Sequence, residues 1–234
     1  MNRLEERFAP LDGIAAVILW VAGVVVLQGP GHQPHSDASG ARALEFFQDH
    51  TGTILAGTTL FALGTLFFLW FLGLIRAQLG PAEGGTRRLS SIAYAAGIVM
   101  AISLLLVSAA HAAGAMNNVH LSPDAAQVYL GISAGFYYAA GLSGAVFLLA
   151  TGLTSLGTGA FPAWLGWASI GLAVWLVIVP IAWIALVYVF PLWLIAVSVI
   201  LWMGRSTSTR SDRTARVDTP ATDPSASPEP PPRH

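Results

Sequence analysis

The segment from Phe161 to Met203 runs for roughly 40 residues without one charged side chain, about twice the 20 that carry a helix across a bilayer. As a single helix it would reach about 60 Å at 1.5 Å per residue, against a hydrocarbon core near 30 Å, so it must fold back into two spans. The expected hinge follows Pro180, because a proline inside a helix removes a backbone hydrogen bond. Trp183 and Tyr188 beside it suit the membrane–water interface. Pro191 then only kinks the last span.

Composition points the same way. The chain is 55% apolar and 10% charged, with a mean hydropathy of +0.66, whereas about a quarter of a soluble domain is charged. A net charge of -1 gives no electrostatic basis for a nucleic-acid partner. The absence of cysteine excludes disulfides, iron–sulfur clusters, thiolate zinc and a cysteine nucleophile. Every basic residue is arginine, which excludes lysine Schiff-base chemistry and, with abundant Ala and Gly, looks like the bias of a high-GC bacterial genome.

The expected fold is all-α: a polytopic bundle of six spans over residues 1–204, at about 11–28, 51–75, 89–113, 127–150, 162–180 and 184–203. The first apolar run ends in Gln28-Gly29-Pro30-Gly31 with no small-x-small cleavage site, so it reads as a retained anchor rather than a signal peptide. In the loop that follows, residues 41–48 form a candidate interfacial helix with Leu44, Phe46 and Phe47 turned to lipid. The Ser/Thr/Pro-rich stretch 205–234 lacks the apolar surface to order itself and reads as a disordered tail.

Arginine placement sets the orientation. With six spans, Arg3, Arg7, Arg76, Arg87, Arg88, Arg205, Arg210, Arg213 and Arg216 share one side, and only Arg42 lies opposite. Cytoplasmic loops hold the excess of basic residues, so both termini and the tail are expected in the cytoplasm of a multi-pass protein of the bacterial plasma membrane.

Three groups of side chains are candidates for more than packing against lipid. Gly131, Gly135, Ala139 and Ser143 recur every fourth residue and offer a close-packing face, with Ala93, Gly97 and Ala101 as a partner stripe on the preceding span. Counted inward along the spans, Thr58, Ser103, Ser108, Ser133 and Tyr137 fall in the outer half of the membrane, with Tyr138 adjacent. These hydroxyls either satisfy helix carbonyls or line an outward-opening ligand pocket. His32, His35, His50, His111 and His120 all fall on the outer side. Among them His50, His111 and His120 form the one trio whose placement could suit a metal, although a catalytic metal site needs three converging ligands and none is expected here.

Short motifs at the helix ends carry a resemblance. Phe71-Leu72-Gly73-Leu74-Ile75-Arg76, Arg88-Leu89, Phe161-Pro162-Ala163-Trp164-Leu165-Gly166-Trp167 and Pro191-Leu192-Trp193-Leu194 resemble those of uncharacterised six-span membrane proteins of actinobacteria, over residues 1 to about 204. The resemblance implies a fold and a location, and supplies no catalytic residues.

The sequence contains no Gly-rich phosphate loop, H-E-x-x-H helix, G-x-S-x-G elbow or acidic run suited to magnesium. No cofactor is expected, and the partners are the bilayer and a second copy or another membrane protein. A non-enzymatic membrane scaffold or partner-binding protein requires the fewest features. The alternatives are binding or transport of a small or lipid-like ligand in a pocket near Tyr137, and an outer-face histidine-based metal or haem redox protein.

Overall fold

Apolar runs of this length satisfy their backbone groups internally only as helices, and helices are all that forms among the described residues. The computed structural model describes residues 10–29, 33–34, 38–178 and 185–217, with side chains as far as Met203. The elements are α1 (Leu11–Leu27), α2 (Gly40–Asp49), α3 (Thr51–Glu83), α4 (Arg88–Met116), α5 (Pro123–Thr158), α6 (Ala163–Ile178), a π-helical turn (Ala185–Val189) and α7 (Phe190–Val217). Four stretches are long and apolar enough to cross a membrane: α3, α4, α5 and Ala185–Met203. Helices α1 and α6 are apolar but shorter, at 17 and 16 residues. The expected hinge after Pro180 lies outside the described residues.

Burial runs against the pattern of a protein folded in water. Val21, Trp70, Val99, Ile102 and Leu149 face outward, whereas Thr65, Ser103, Thr154 and Ser198 are buried. Each of these four hydroxyls donates to the carbonyl four residues earlier on its own helix, at 2.8–3.0 Å. An apolar belt outside and self-satisfied hydroxyls inside is the arrangement a lipid solvent favours.

Helix α1 packs on α3, α3 on α4, α4 on α5 and α5 on α6, while α7 returns against α1. Trp20, Phe68, Phe147, Phe190 and Trp193 join these layers at the centre, with Phe68–Phe190 and Phe147–Trp193 ring centroids 5.8 and 5.6 Å apart in edge-on geometry. Both indoles find a hydroxyl across a helix boundary: Trp20 Nε1 donates to Thr65 Oγ1 at 3.0 Å and Trp193 Nε1 to Ser169 Oγ at 2.8 Å. A buried indole N–H without a partner would be costly, so these bonds fix how α1 sits on α3 and α7 on α6.

Close backbone approach occurs where small residues meet, and the positions differ from the expected stripe. A Cβ on Gly23 would lie 2.8 Å from the Gly57 carbonyl oxygen, and one on Gly64 2.9 Å from the Ala16 carbonyl oxygen, so α1 and α3 meet backbone to backbone. Helices α5 and α6 do the same at Gly152, where a Cβ would lie 2.8 Å from the Gly166 carbonyl oxygen. Gly131 and Gly135, expected to pack, are exposed and have nothing within 4 Å of an added Cβ, because no neighbouring helix among the described residues covers that face of α5. Ala139 and Ser143 are half-buried. Ala93, Gly97 and Ala101 are buried, but the partner of Gly97 is Leu72 of α3, 2.6 Å from an added Cβ, not the α5 stripe.

A further expectation changes. Helix α2 does not turn its aromatic face to lipid: Phe46 and Phe47 are buried with Ala115, Ala126 and Leu130, and Phe47 occupies the space left by the missing side chain of Gly114. Folded inward, that face closes one end of the α4–α5 pair. Helix α7 continues past Met203 to Val217.

At the other end, α3 and α4 form a long hairpin. With 33 residues, α3 spans about 50 Å, so its last turns beyond Arg76 project from a 30 Å core. Gly84, Gly85 and Arg87 turn the chain with φ of 63°, 39° and 49°. The Glu83 carboxylate then accepts from the Leu89 and Ser90 N–H groups, both at 2.8 Å, and caps α4 from the end of α3.

Candidate functional site

Because α5 and α6 touch at Gly152 and Gly166, near the arginine-bearing end of the bundle, they are free to part toward the other end, and a cavity occupies the gap. Its volume is about 620 Å³, within the range of small-molecule sites. The end of α1, the first turns of α3, the end of α4, the first half of α5, the end of α6 and the π-helical turn all contribute to its wall. The wall is mostly aliphatic, with Leu130, Leu176 and Leu186 among its members, and its described residues include no Asp, Glu, Lys or Arg.

Five of the six hydroxyl residues expected at a pocket line this cavity: Thr58, Ser108, Ser133, Tyr137 and Tyr138. Ser103 does not. It is buried, donates to the Val99 carbonyl oxygen at 2.9 Å, and sits five residues before Ser108. Five residues rotate a helix by about 500°, which turns Ser103 some 140° away from the Ser108 face. Ser108 and His111 do share a face, since they stand three residues apart.

The ring of His111 is held at both nitrogens. Nδ1 lies 3.0 Å from the Val107 carbonyl oxygen, which can only accept, so Nδ1 carries the proton. Nε2 then accepts from the Gln33 amide nitrogen at 2.8 Å. Thus His111 is a neutral, fixed part of the wall with no nitrogen left for a metal or for base catalysis.

The described residues contain no group of three His, Asp or Glu placed to hold a metal ion. The trio His50, His111 and His120 is therefore not assembled. His111 is engaged as above, His120 is exposed beyond α4, and the His50 ring stacks on Phe46 with centroids 5.9 Å apart. His50 Nδ1 is enclosed without a hydrogen-bond partner. His32 and His35 lie outside the described residues.

The structure adds participants that the sequence reading passed over. Gln28 and Gln33 line the cavity from α1 and the segment after it, and Gly141 forms part of its floor. A smaller cavity of about 230 Å³ adjoins it, walled by Trp20, Met100, Leu104 and Phe190 and sharing Phe61, Tyr137 and Leu186 with the first. Two glutamines at and just beyond the end of a first span whose one charged residue, Asp12, lies at its other end are a legible signal, since amides there need partners. Gly141 had none, because only the fold shows which glycine faces empty space.

Compared with known proteins, the chain matches no family model, no curated protein and no solved structure.

Proposed function

We propose that this chain is a six-span protein of the bacterial plasma membrane, both termini cytoplasmic, that binds a neutral and largely apolar small molecule in the cavity at its outer end. The observation that carries this reading is a cavity of about 620 Å³ whose described wall is aliphatic, holds no ionised side chain, and presents hydroxyls from three helices. A charged ligand would lose its water there and gain no counter-charge, which is prohibitive. A scaffold role, which needs no internal space, does not account for the cavity.

The orientation rests on Arg76, Arg87 and Arg88, which lie at the end of the bundle opposite the cavity, on the side the arginine rule assigns to the cytoplasm. The resemblance of the helix-end motifs to six-span actinobacterial membrane proteins belongs to the same proposal. The role is binding or passage of the ligand rather than its chemical conversion, since His111 has both nitrogens engaged within the protein.

Gly141 provides the test. It is buried at the cavity and an added Cβ meets nothing within 4 Å, so Gly141→Leu fills ligand space without striking a neighbouring helix. Protein released in mild detergent is expected to carry a neutral amphiphile visible by native mass spectrometry. Gly141→Leu should lose it while melting at the wild-type temperature or above. Equal ligand content in both proteins would remove the cavity from the account.

A further inference from the structure

The donors and acceptors of the wall specify more than neutrality. We infer that the ligand is an alcohol: a molecule with an apolar body and a hydroxyl that donates a hydrogen bond to the cavity wall. This rests on the binding role proposed above and goes further, to the chemical class of the ligand.

A Ser or Thr hydroxyl has one proton and two lone pairs. The protons of the three Ser and Thr hydroxyls in this wall are spent inside the protein. Thr58 Oγ1 donates to the Ile54 carbonyl oxygen at 2.7 Å, Ser133 Oγ to that of Leu130 at 2.9 Å, and Ser108 Oγ to that of Leu104 at 3.4 Å. What α3, α4 and α5 present to the cavity is therefore oxygen lone pairs, all three on buried residues. His111 adds no open donor, because its one ring proton goes to Val107. Donors come from the Tyr137 and Tyr138 phenols and the Gln28 side-chain amide.

A ligand with acceptors only, such as a ketone, a quinone or an ester, would strip water from three buried acceptors and give nothing back. An ammonium group would donate, but the described wall offers no carboxylate to balance its charge. A hydroxyl meets both demands: it donates to one of the three oxygens and accepts from Tyr137. The adjoining cavity of about 230 Å³, walled by Trp20, Met100, Leu104 and Phe190, gives the apolar body a place beyond Tyr137.

The experiment uses the full chain, stripped of lipid and placed in nanodiscs, with two alcohols and their O-methyl ethers: farnesol, and 1,2-dioctanoylglycerol. The two differ in body, one isoprenoid chain against two acyl chains, and so separate the possible lipid sources of the same hydroxyl. At least one alcohol is expected to bind more tightly than its ether. Thr58→Val with Ser133→Ala should shrink that preference by roughly two- to tenfold per hydroxyl without weakening ether binding, because the ether then leaves two fewer acceptors unpaired. Both changes keep every helix backbone bond, and an unchanged melting temperature checks this. Should the double variant fail to fold, the wild-type comparison of alcohol with ether decides alone. Equal binding of each alcohol and its ether overturns the assignment of an alcohol while the binding role stands. Binding of none of the four overturns both.

Discussion

The side-chain amide of Gln33 lies 2.8 Å from Nε2 of His111, tying the segment after α1 to the inner face of α4 at the mouth of the cavity. The two residues are 78 positions apart, so the bond closes a long stretch of chain. It also explains why a histidine stands among aliphatic side chains. Its ring satisfies the amide on one side and the Val107 carbonyl on the other, and so brings no unpaired polar atom into the wall.

A double-mutant cycle measures this tie. Gln33→Leu should lower thermal stability in detergent by about 1–3 kcal/mol, because it leaves the buried His111 Nε2 unmatched, and His111→Phe by less, because the half-buried Gln33 amide can turn to water. Together they should cost less than the sum, with a coupling of about 0.5–1.5 kcal/mol. Strict additivity of the two melting shifts would mean that the pair does not interact in the folded protein.

The glycine contacts give a second comparison. At Gly23 and Gly152 an added Cβ would fall 2.8 Å from a carbonyl oxygen of the facing helix, which only a backbone shift can relieve. Gly23→Leu and Gly152→Leu should each destabilise by about 1–3 kcal/mol or more, in the manner of overpacked cores. Gly135→Leu, facing outward with open space, should be neutral or slightly stabilising through better helix propensity. A loss of stability at Gly135 equal to that at Gly23 would show that another molecule covers that face of α5.

How much of this was legible depends on what each feature needs. Helix positions and the depth of the hydroxyls along their helices follow from hydropathy and a rise of 1.5 Å per residue, and five of the six hydroxyl residues do line one cavity. The miss at Ser103 was one of rotation: depth was counted and azimuth was not. The glycines failed for a related reason. Spacing by four marks a face of one helix, but only the neighbour decides whether that face is covered. The contacts that form use Ala16 and Gly23 on α1 and Gly57 and Gly64 on α3, each pair seven residues apart, close to two full turns. That matching interval on two spans was present in the sequence and was stronger evidence than the single run on α5. Helix α2 was misjudged because its apolar face fits lipid and protein equally well until Gly114 is seen to leave room for Phe47.

The orientation has its own test, made clean by the absence of cysteine. Thr86 lies exposed in the α3–α4 turn, and Val119 is 80% exposed beyond the end of α4. Val119 is preferable to its neighbour Asn118, whose side chain donates to Thr51 Oγ1 at 2.7 Å. In intact cells an impermeant thiol reagent should label Val119→Cys and spare Thr86→Cys until the membrane is opened. The reverse pattern would invert the protein and place the cavity on the cytoplasmic side.

The last expectation concerns acid. The Glu83 carboxyl is held below its ordinary value of 4.5, first by the hydrogen bond from the Ser90 N–H, with partial desolvation opposing and the Leu89 N–H lowering it further. It sits seven residues past Arg76, at the projecting tip of the α3–α4 hairpin, where water and protons reach it. A depressed carboxyl favours the folded hairpin as long as it is ionised, so its contribution is complete above about pH 4.5 and disappears as pH falls through the lower folded value. The readout is amide exchange at Leu89 and Ser90, whose N–H groups the carboxylate accepts. After correction for the intrinsic exchange rate, their protection should fall on acidification below pH 4.5 while that of the central α4 amides holds. Glu83→Gln keeps a neutral acceptor but has no proton to gain, so its protection should start lower and stay flat across the same range. A wild-type profile as flat as that of Glu83→Gln would show that the carboxylate does not cap α4.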